Sequence, residues 1–291
     1  MQLSPLPGYK TQSIDTSIET ELVLFSLLRN LSIDQKAERL AKWTKGCWEL
    51  NLAGIQRRHP NASPGQIRAY WAESILGKAL VEQLPASIVN QNQTLMLTDP
   101  ISLALDVARI LDALDIPYLI GGSVASGLWG ESRPTEDIDV VANLLPEKVA
   151  ALMAAFTPRF YVSEDAVRDA IRDQQSFNLI DNDSLGKVDI FILKDTPFEQ
   201  TEFQRRQSYT IREPNGRLIF STPEDIILQK LLWYRMTQRQ SQKQWRDILG
   251  VLKLQGQRLD FGYLQAWGSR LKLLTELNQA LTESGLTPFA P

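Results

Sequence analysis

Apolar residues recur at helical spacing through the first 90 positions of the chain. From Ile18 to Leu31, the sets Leu22, Phe25, Leu28 and Leu24, Leu27, Leu31 predict a helix, with Asp15-Thr16 as its N-cap. A second helix is predicted from Ile33 to about Arg58, and Ser63-Pro64 opens a third through Trp71, Ile75 and Leu80. Trp43, Trp48 and Trp71 fall on these amphipathic helices and read as core rather than as a ligand box. The stretch from Leu84-Pro85 to Thr98-Asp99-Pro100, rich in Gln, Asn, Ser and Pro, separates this helical unit from the remainder of the chain.

Beyond it, helix and strand patterns alternate. Ser102 to Leu114 predicts an amphipathic helix, and Ile116 to Ile120 a short apolar strand ending at Gly121-Gly122. A helix from Ser123 to Trp129, a strand from Ile138 to Ala142 and a helix around Pro146 to Phe156 come next. Strands are predicted near Ser176 to Ile180, Val188 to Leu193 and Arg217 to Phe220, with Asp183-Ser-Leu-Gly186 as a hairpin turn. Thr222-Pro223-Glu224-Asp225 has the signature of a capped helix start, and helices fill the rest to about Ser284. No internal repeat is visible.

With 291 residues, the chain exceeds the usual single domain of about 100–200 residues, which predicts two domains or one with an appendage. A hydrophobic share of 43% excludes a disordered chain. One cysteine, Cys47, and one histidine, His59, exclude an internal disulfide and a Cys/His zinc site. His59 lies in the polar, helix-ending run Arg57-Arg58-His59-Pro60-Asn61, so a Ser-His-Asp triad is not expected. The start lacks a basic-then-apolar leader, and no run approaches the roughly 18 apolar residues of a membrane span, so a cytoplasmic protein with no membrane partner is expected. The net charge of −3 argues against a nucleic-acid coat protein, yet it hides an asymmetry. Residues 96–200 hold 8 basic against 18 acidic groups, a balance of −10, while residues 201–258 hold 11 against 5, a balance of +6. That pattern predicts a cation-gathering site beside a surface that meets anions.

Candidate chemistry concentrates between Ile116 and Val141. An apolar strand runs into Gly121-Gly122-Ser123 and directly into a helix, so backbone N–H groups at the helix start face whatever lies beyond the strand end. Glycine permits close approach of a phosphate, and the Ser123 hydroxyl offers a further donor. Asp137-Ile138-Asp139 then places two carboxylates at i and i+2 of a strand, on one face. Such neighbours repel unless a divalent cation lies between them, which points to Mg²⁺ or Mn²⁺. A third acid, Asp189, interrupts the apolar strand Val188-Asp189-Ile190-Phe191-Ile192-Leu193. If that strand pairs beside Asp137/Asp139, three carboxylates converge, with Asp189 as a ligand or as the base for an attacking hydroxyl, and two metals about 3.5–4 Å apart would clamp an in-line phosphoryl attack. No P-loop and no Gly-x-Gly-x-x-Gly after a strand is present.

Gly121-Gly122-Ser123, Arg133-Pro-Thr135-Glu-Asp137-Ile-Asp139 and the later Asp189 resemble the DNA polymerase β-like nucleotidyltransferase superfamily, and within it the AbiEii-type toxin branch. The resemblance covers about residues 100–255. It implies an α+β fold, a nucleotidyltransferase-type mixed sheet flanked by helices, with an N-terminal all-α unit and C-terminal helices. The expected domains are a helical unit of unknown role over 1–92, a catalytic core over 93–220 and a C-terminal helical part over 221–291. The implied activity is transfer of a nucleoside monophosphate from ATP or another NTP to an acceptor hydroxyl, with Mg²⁺ and release of pyrophosphate. Asp137, Asp139 and Asp189 are the implied catalytic and metal residues. Gly121, Gly122, Ser123, Arg133, Thr135 and Lys230 are implied in nucleotide binding, with Lys230 on the helix after Thr222-Pro223 reaching the triphosphate. Trp245-Arg246-Asp247-Ile-Leu resembles the family's final helix motif, where Asp247 orients Lys230 or Arg246. The implied acceptor is RNA, particularly a tRNA 3′ end, with a cognate antitoxin protein as partner in a toxin–antitoxin system. The basic run Arg205, Arg206, Arg212, Arg217, Arg235, Arg239, Lys243, Arg246 favours a polyanion. Two alternatives stay open: a protein or small-molecule acceptor such as an aminoglycoside, and a catalytically silent nucleotide- or partner-binding protein of the same fold.

Overall fold

Side-chain caps set where the helices of the computed structural model begin; it describes residues 6–212 and 215–290, so the first five positions of the leader reading lie outside it. Ser17 caps α1 (Ile18–Arg29), one to two residues beyond the expected Asp15-Thr16, because its hydroxyl reaches the Thr20 amide. Capping boxes Ser32/Gln35 and Ser63/Gln66 start α2 (Ile33–Arg58) and α3 (Pro64–Leu76). Gly77, at φ +77°, ends α3 before Leu80, and only short turns α4 (Lys78–Val81) and α5 (Ala86–Val89) come after it. Asp99 accepts from the amides of Ile101 and Ser102 and opens α6 (Pro100–Ala113).

The chain then continues as β1 (Tyr118–Ile120), α7 (Gly122–Trp129), β2 (Asp137–Ala142), α8 (Val149–Phe156), β3 (Phe160–Tyr161), α9 (Glu164–Asp173), β4 (Ser176–Asp181) and β5 (Lys187–Ile192). It ends with α10 (Pro197–Arg205), β6 (Gln207–Ile211), β7 (Gly216–Phe220), α11 (Pro223–Met236), α12 (Gln242–Gln255), α13 (Phe261–Arg270) and α14 (Leu274–Glu283). Among the described residues, seven strands form one mixed sheet in the order β3-β4-β5-β2-β1-β7-β6. β2 runs parallel to β5 and β1 parallel to β7, and the other neighbours are antiparallel. The fold is thus α+β, a mixed sheet flanked by helices.

Alternation along β2 and β5 sorts their side chains. Ile138, Val140 and Ala142 are buried with Val188, Ile190 and Ile192 in the main core, and α6 and α9 pack on these strands. Asp137, Asp139, Val141 and Lys187, Asp189, Phe191 take the opposite face, which borders a cleft below α10 and α11.

The N-terminal helices are bound to this sheet at two places. Ala37 and Leu40 of α2 belong to the main core, against α6 and α7. Trp48, Ile55 and Trp71 form a second core with Ile180 and Leu185 of the β4–β5 hairpin. Trp43 is 42% exposed, with Arg39 over its ring, so two of the three tryptophans are core. Arg68, itself buried, donates to the carbonyls of Ile88, Asn182 and Asp183, and Trp71 Nε1 donates to Ser184 O at 3.0 Å. Trp71→Phe is therefore expected to cost about 1–3 kcal/mol, since it keeps most of the packing but leaves a buried carbonyl unpaired. Urea unfolding measures this, and an unchanged midpoint would exclude the clamp. His59 caps the end of α2 and stacks on Tyr70 at 4.0 Å, in keeping with the surface role expected of it. Among the described residues no helix is long and apolar enough to cross a membrane.

Candidate active site

The cleft encloses about 680 Å³ and is lined by Gly121, Gly122, Ser123, Arg133, Asp137, Asp139, Asp189 and Lys230, among others. In register, Asp139 stands beside Asp189 and Asp137 beside Lys187. The spacing of two that put Asp137 and Asp139 on one face therefore also brings Lys187 into the cluster, a residue the sequence reading passed over. Its ammonium lies 2.5 Å from Asp189 Oδ2 and 3.5 Å from Asp137 Oδ2. The other oxygen of Asp189 accepts from Asn178 Nδ2 on β4.

Burial, the repulsion of Asp137 and Asp189, and only partial relief from Lys230 and Lys187 push Asp139 up to about 7. Burial also acts on Lys187, but Asp189, Asp137 and Asp139 outweigh it and hold its ammonium above its usual value. As the side chains stand, no three His, Cys, Asp or Glu residues among those described are gathered closely enough to hold a metal ion. Asp189 is engaged by Lys187 and Asn178. Asp137 and Asp139 remain a donor pair suited to Mg²⁺, which is commonly held by one or two carboxylates together with substrate phosphates. The elevated Asp139 marks a position where positive charge is wanted.

Gly122 explains why the glycine pair precedes this site. Its φ is +54°, and a Cβ there would lie 1.6 Å from Asp139 Oδ2, so only glycine lets the start of α7 rest against the carboxylate. The Gly121 amide donates to Asp139 O at 2.9 Å. Thr135 donates to Asp137 O at 2.9 Å, so the shared proton at 2.5 Å between the two hydroxyls is the one on Ser123. That proton ties α7 to the loop before β2. The Thr135 amide donates in turn to Thr44 Oγ1 of α2, at 3.4 Å.

Across the cleft, Asp247 of α12 receives Arg133 Nε and Nη2 at 2.8 Å each and Lys230 Nζ at 2.8 Å. Gln244 also accepts from Lys230, at 3.0 Å. Burial would raise Asp247, but Arg133 and Lys230 overcome it and hold the carboxyl below its usual range. Asp247 thus orients Lys230 together with Arg133, whereas Arg246 turns away to Glu131. The trio keeps one net positive charge at the cleft wall.

The rest of the basic run is largely paired within the molecule. Arg205 meets Glu224 and Asp225, Arg217 meets Asp112, and both Arg235 and Arg239 meet Glu276. Part of the balance of +6 is therefore met by acids outside that segment, Asp112 and Glu276. Trp245 is buried with Nε1 on Glu283, while Trp233 is 46% exposed and lines the cleft. Sequence reading also passed over Glu202, which lines the cleft, is hydrogen-bonded to Ser221 and Gln229, and is pushed up to about 7 by burial.

No family model matches the chain, and no curated protein does. Among solved structures, it is similar to an antigenic nucleotidyltransferase-like protein from Paracoccidioides brasiliensis, at 20% identity and a TM-score of 0.40, over 64% of this chain and 92% of the other. It is also similar to the antibiotic-resistance factor ANT(2'')-Ia, at 16% identity and a TM-score of 0.38, over 59% of this chain and 92% of the other.

Proposed function

We propose that the protein is a divalent-metal-dependent nucleotidyltransferase that moves a nucleoside monophosphate from an NTP to an acceptor hydroxyl and releases pyrophosphate. The observation that carries this reading is the meeting, in one cleft, of Asp137, Asp139 and Asp189 on paired strands with Gly121-Gly122 and the Arg133–Asp247–Lys230 trio. Asp137 and Asp139 would hold the ion, whose chemistry is to neutralise charge on the phosphates. The start of α7 presents backbone amides as donors to phosphate oxygens. Arg133 and Lys230, held in place by Asp247, supply cationic contacts to the same group. A carboxylate of the cluster takes the acceptor proton.

The resemblance to the AbiEii-type branch supports a tRNA 3′ end as acceptor and a cognate antitoxin as partner. The cleft itself favours a compact acceptor: Leu119, Val141 and Phe191 make an apolar floor, and Glu199 and Glu202 face it. Each of the four α-³²P-labelled NTPs, incubated with Mg²⁺ or Mn²⁺ and with total RNA, protein or hydroxylated small molecules including an aminoglycoside, tests both levels. The wild type is expected to label one acceptor class and the Asp137→Ala/Asp139→Ala variant none. Absence of label with every NTP, or label that survives in the variant, would remove the reading.

A further inference from the structure

The carboxylate cluster contains its own cation. Lys187 and Asp137 are direct neighbours across β2 and β5, and the ammonium reaches Asp189 Oδ2 at 2.5 Å while staying 3.5 Å from Asp137 Oδ2. Its side chain is only 19% exposed, so the ion pair is screened little by solvent. Asn178 takes the second oxygen of Asp189. Both oxygens of that carboxylate are therefore engaged by protein donors, whereas among the described residues no cationic side chain is in salt-bridge contact with Asp139. Three carboxylates and one ammonium sum to −2, the charge that one divalent ion neutralises. Lys230 also relieves Asp139 in part from across the cleft, but its ammonium is in contact with Asp247 and Gln244 rather than with the strand carboxylates.

Resting on the reading of Asp137 and Asp139 as metal ligands, we propose that Lys187 is a resident cation of the cluster that stands in for a second metal, so that the nucleotide-free site takes one divalent ion. Lys187 is a positioning residue in this scheme, holding Asp189 oriented at the edge of the site. A lysine suits the task because its compact, strongly hydrated charge resembles a small ion more closely than a planar guanidinium does.

Mn²⁺ binding to the nucleotide-free protein, followed by electron paramagnetic resonance, tests this without reference to activity. Sites belonging to the cluster are those lost in the Asp137→Ala/Asp139→Ala variant. The wild type is expected to show one such site, and Lys187→Met two, a twofold rise in bound ions, with Lys187→Gln as a second charge-removing variant. Lys187→Arg retains the charge and is expected to keep one site. Circular dichroism verifies that each variant is folded. Two cluster sites in the wild type, or one site in both Lys187→Met and Lys187→Gln, would overturn the proposal while leaving the metal-ligand reading intact. A wild type with no cluster site would overturn both.

Discussion

Asp139→Asn is expected to give a protein that transfers about 10³-fold less nucleotide, since several kcal/mol of charge stabilisation leaves with the ligand. In metal-free buffer the same variant is expected to be more stable than the wild type at alkaline pH. The sign comes from the direction of the shift. Asp139 is raised in the folded protein to about 7, above its usual value of 3.8, by burial and by Asp137 and Asp189. The folded state thus holds a proton that the unfolded state releases. The stabilisation this provides is complete below about pH 4 and disappears as pH rises through about 7. Asparagine is never ionised, so the stability gap in favour of Asp139→Asn should widen between pH 5 and pH 8 by on the order of a few kcal/mol at most. Urea unfolding in chelator at the two pH values measures the gap, and a gap that does not widen, or transfer within tenfold of the wild type, would contradict the assignment.

The carboxylates were legible because strand alternation is a local rule. Asp137 and Asp139 share a face wherever β2 pairs, and the apolar residues between them announce the strand. The same rule applied to Lys187 and Asp189 would have found the ammonium, but a lysine at a strand end reads as a solvated residue until its neighbour strand is known. Pairing order is not local. β1 and β7 lie parallel although about a hundred residues separate them, and nothing in either segment encodes that partner. Elements of mixed polarity were also missed. α9 buries Val167 and Ala170 among charged residues, and β6 is an edge strand with one fully buried side chain, Ile211. α10 opens with Thr196-Pro197, the signal that located α11 at Thr222-Pro223, so that helix was readable and was overlooked. The role of Asp247 was half visible: its tie to Lys230 could be expected from the helix motif, whereas its bidentate grip on Arg133, 114 residues away, could not.

That grip makes Asp247→Ala the substitution with the largest expected loss of stability. The carboxylate is buried, and it is the acid that both Arg133 and Lys230 reach, each at 2.8 Å. Removing it leaves a guanidinium and an ammonium confined to a low-dielectric wall without a counter-charge, a situation that costs about 3–5 kcal/mol. Arg246→Ala, one residue earlier, breaks a pair with Glu131 whose arginine is 47% exposed, and is expected to cost about 1 kcal/mol or less. Side-by-side urea unfolding of the two variants compares the environments directly; equal midpoints would mean that burial does not set the difference. Asp247→Ala should also weaken nucleotide binding, because Arg133 and Lys230 lose the group that aims them. Asp247→Asn, which keeps a hydrogen-bond acceptor but not the charge, should recover part of the stability while Arg133 and Lys230 still repel each other across it.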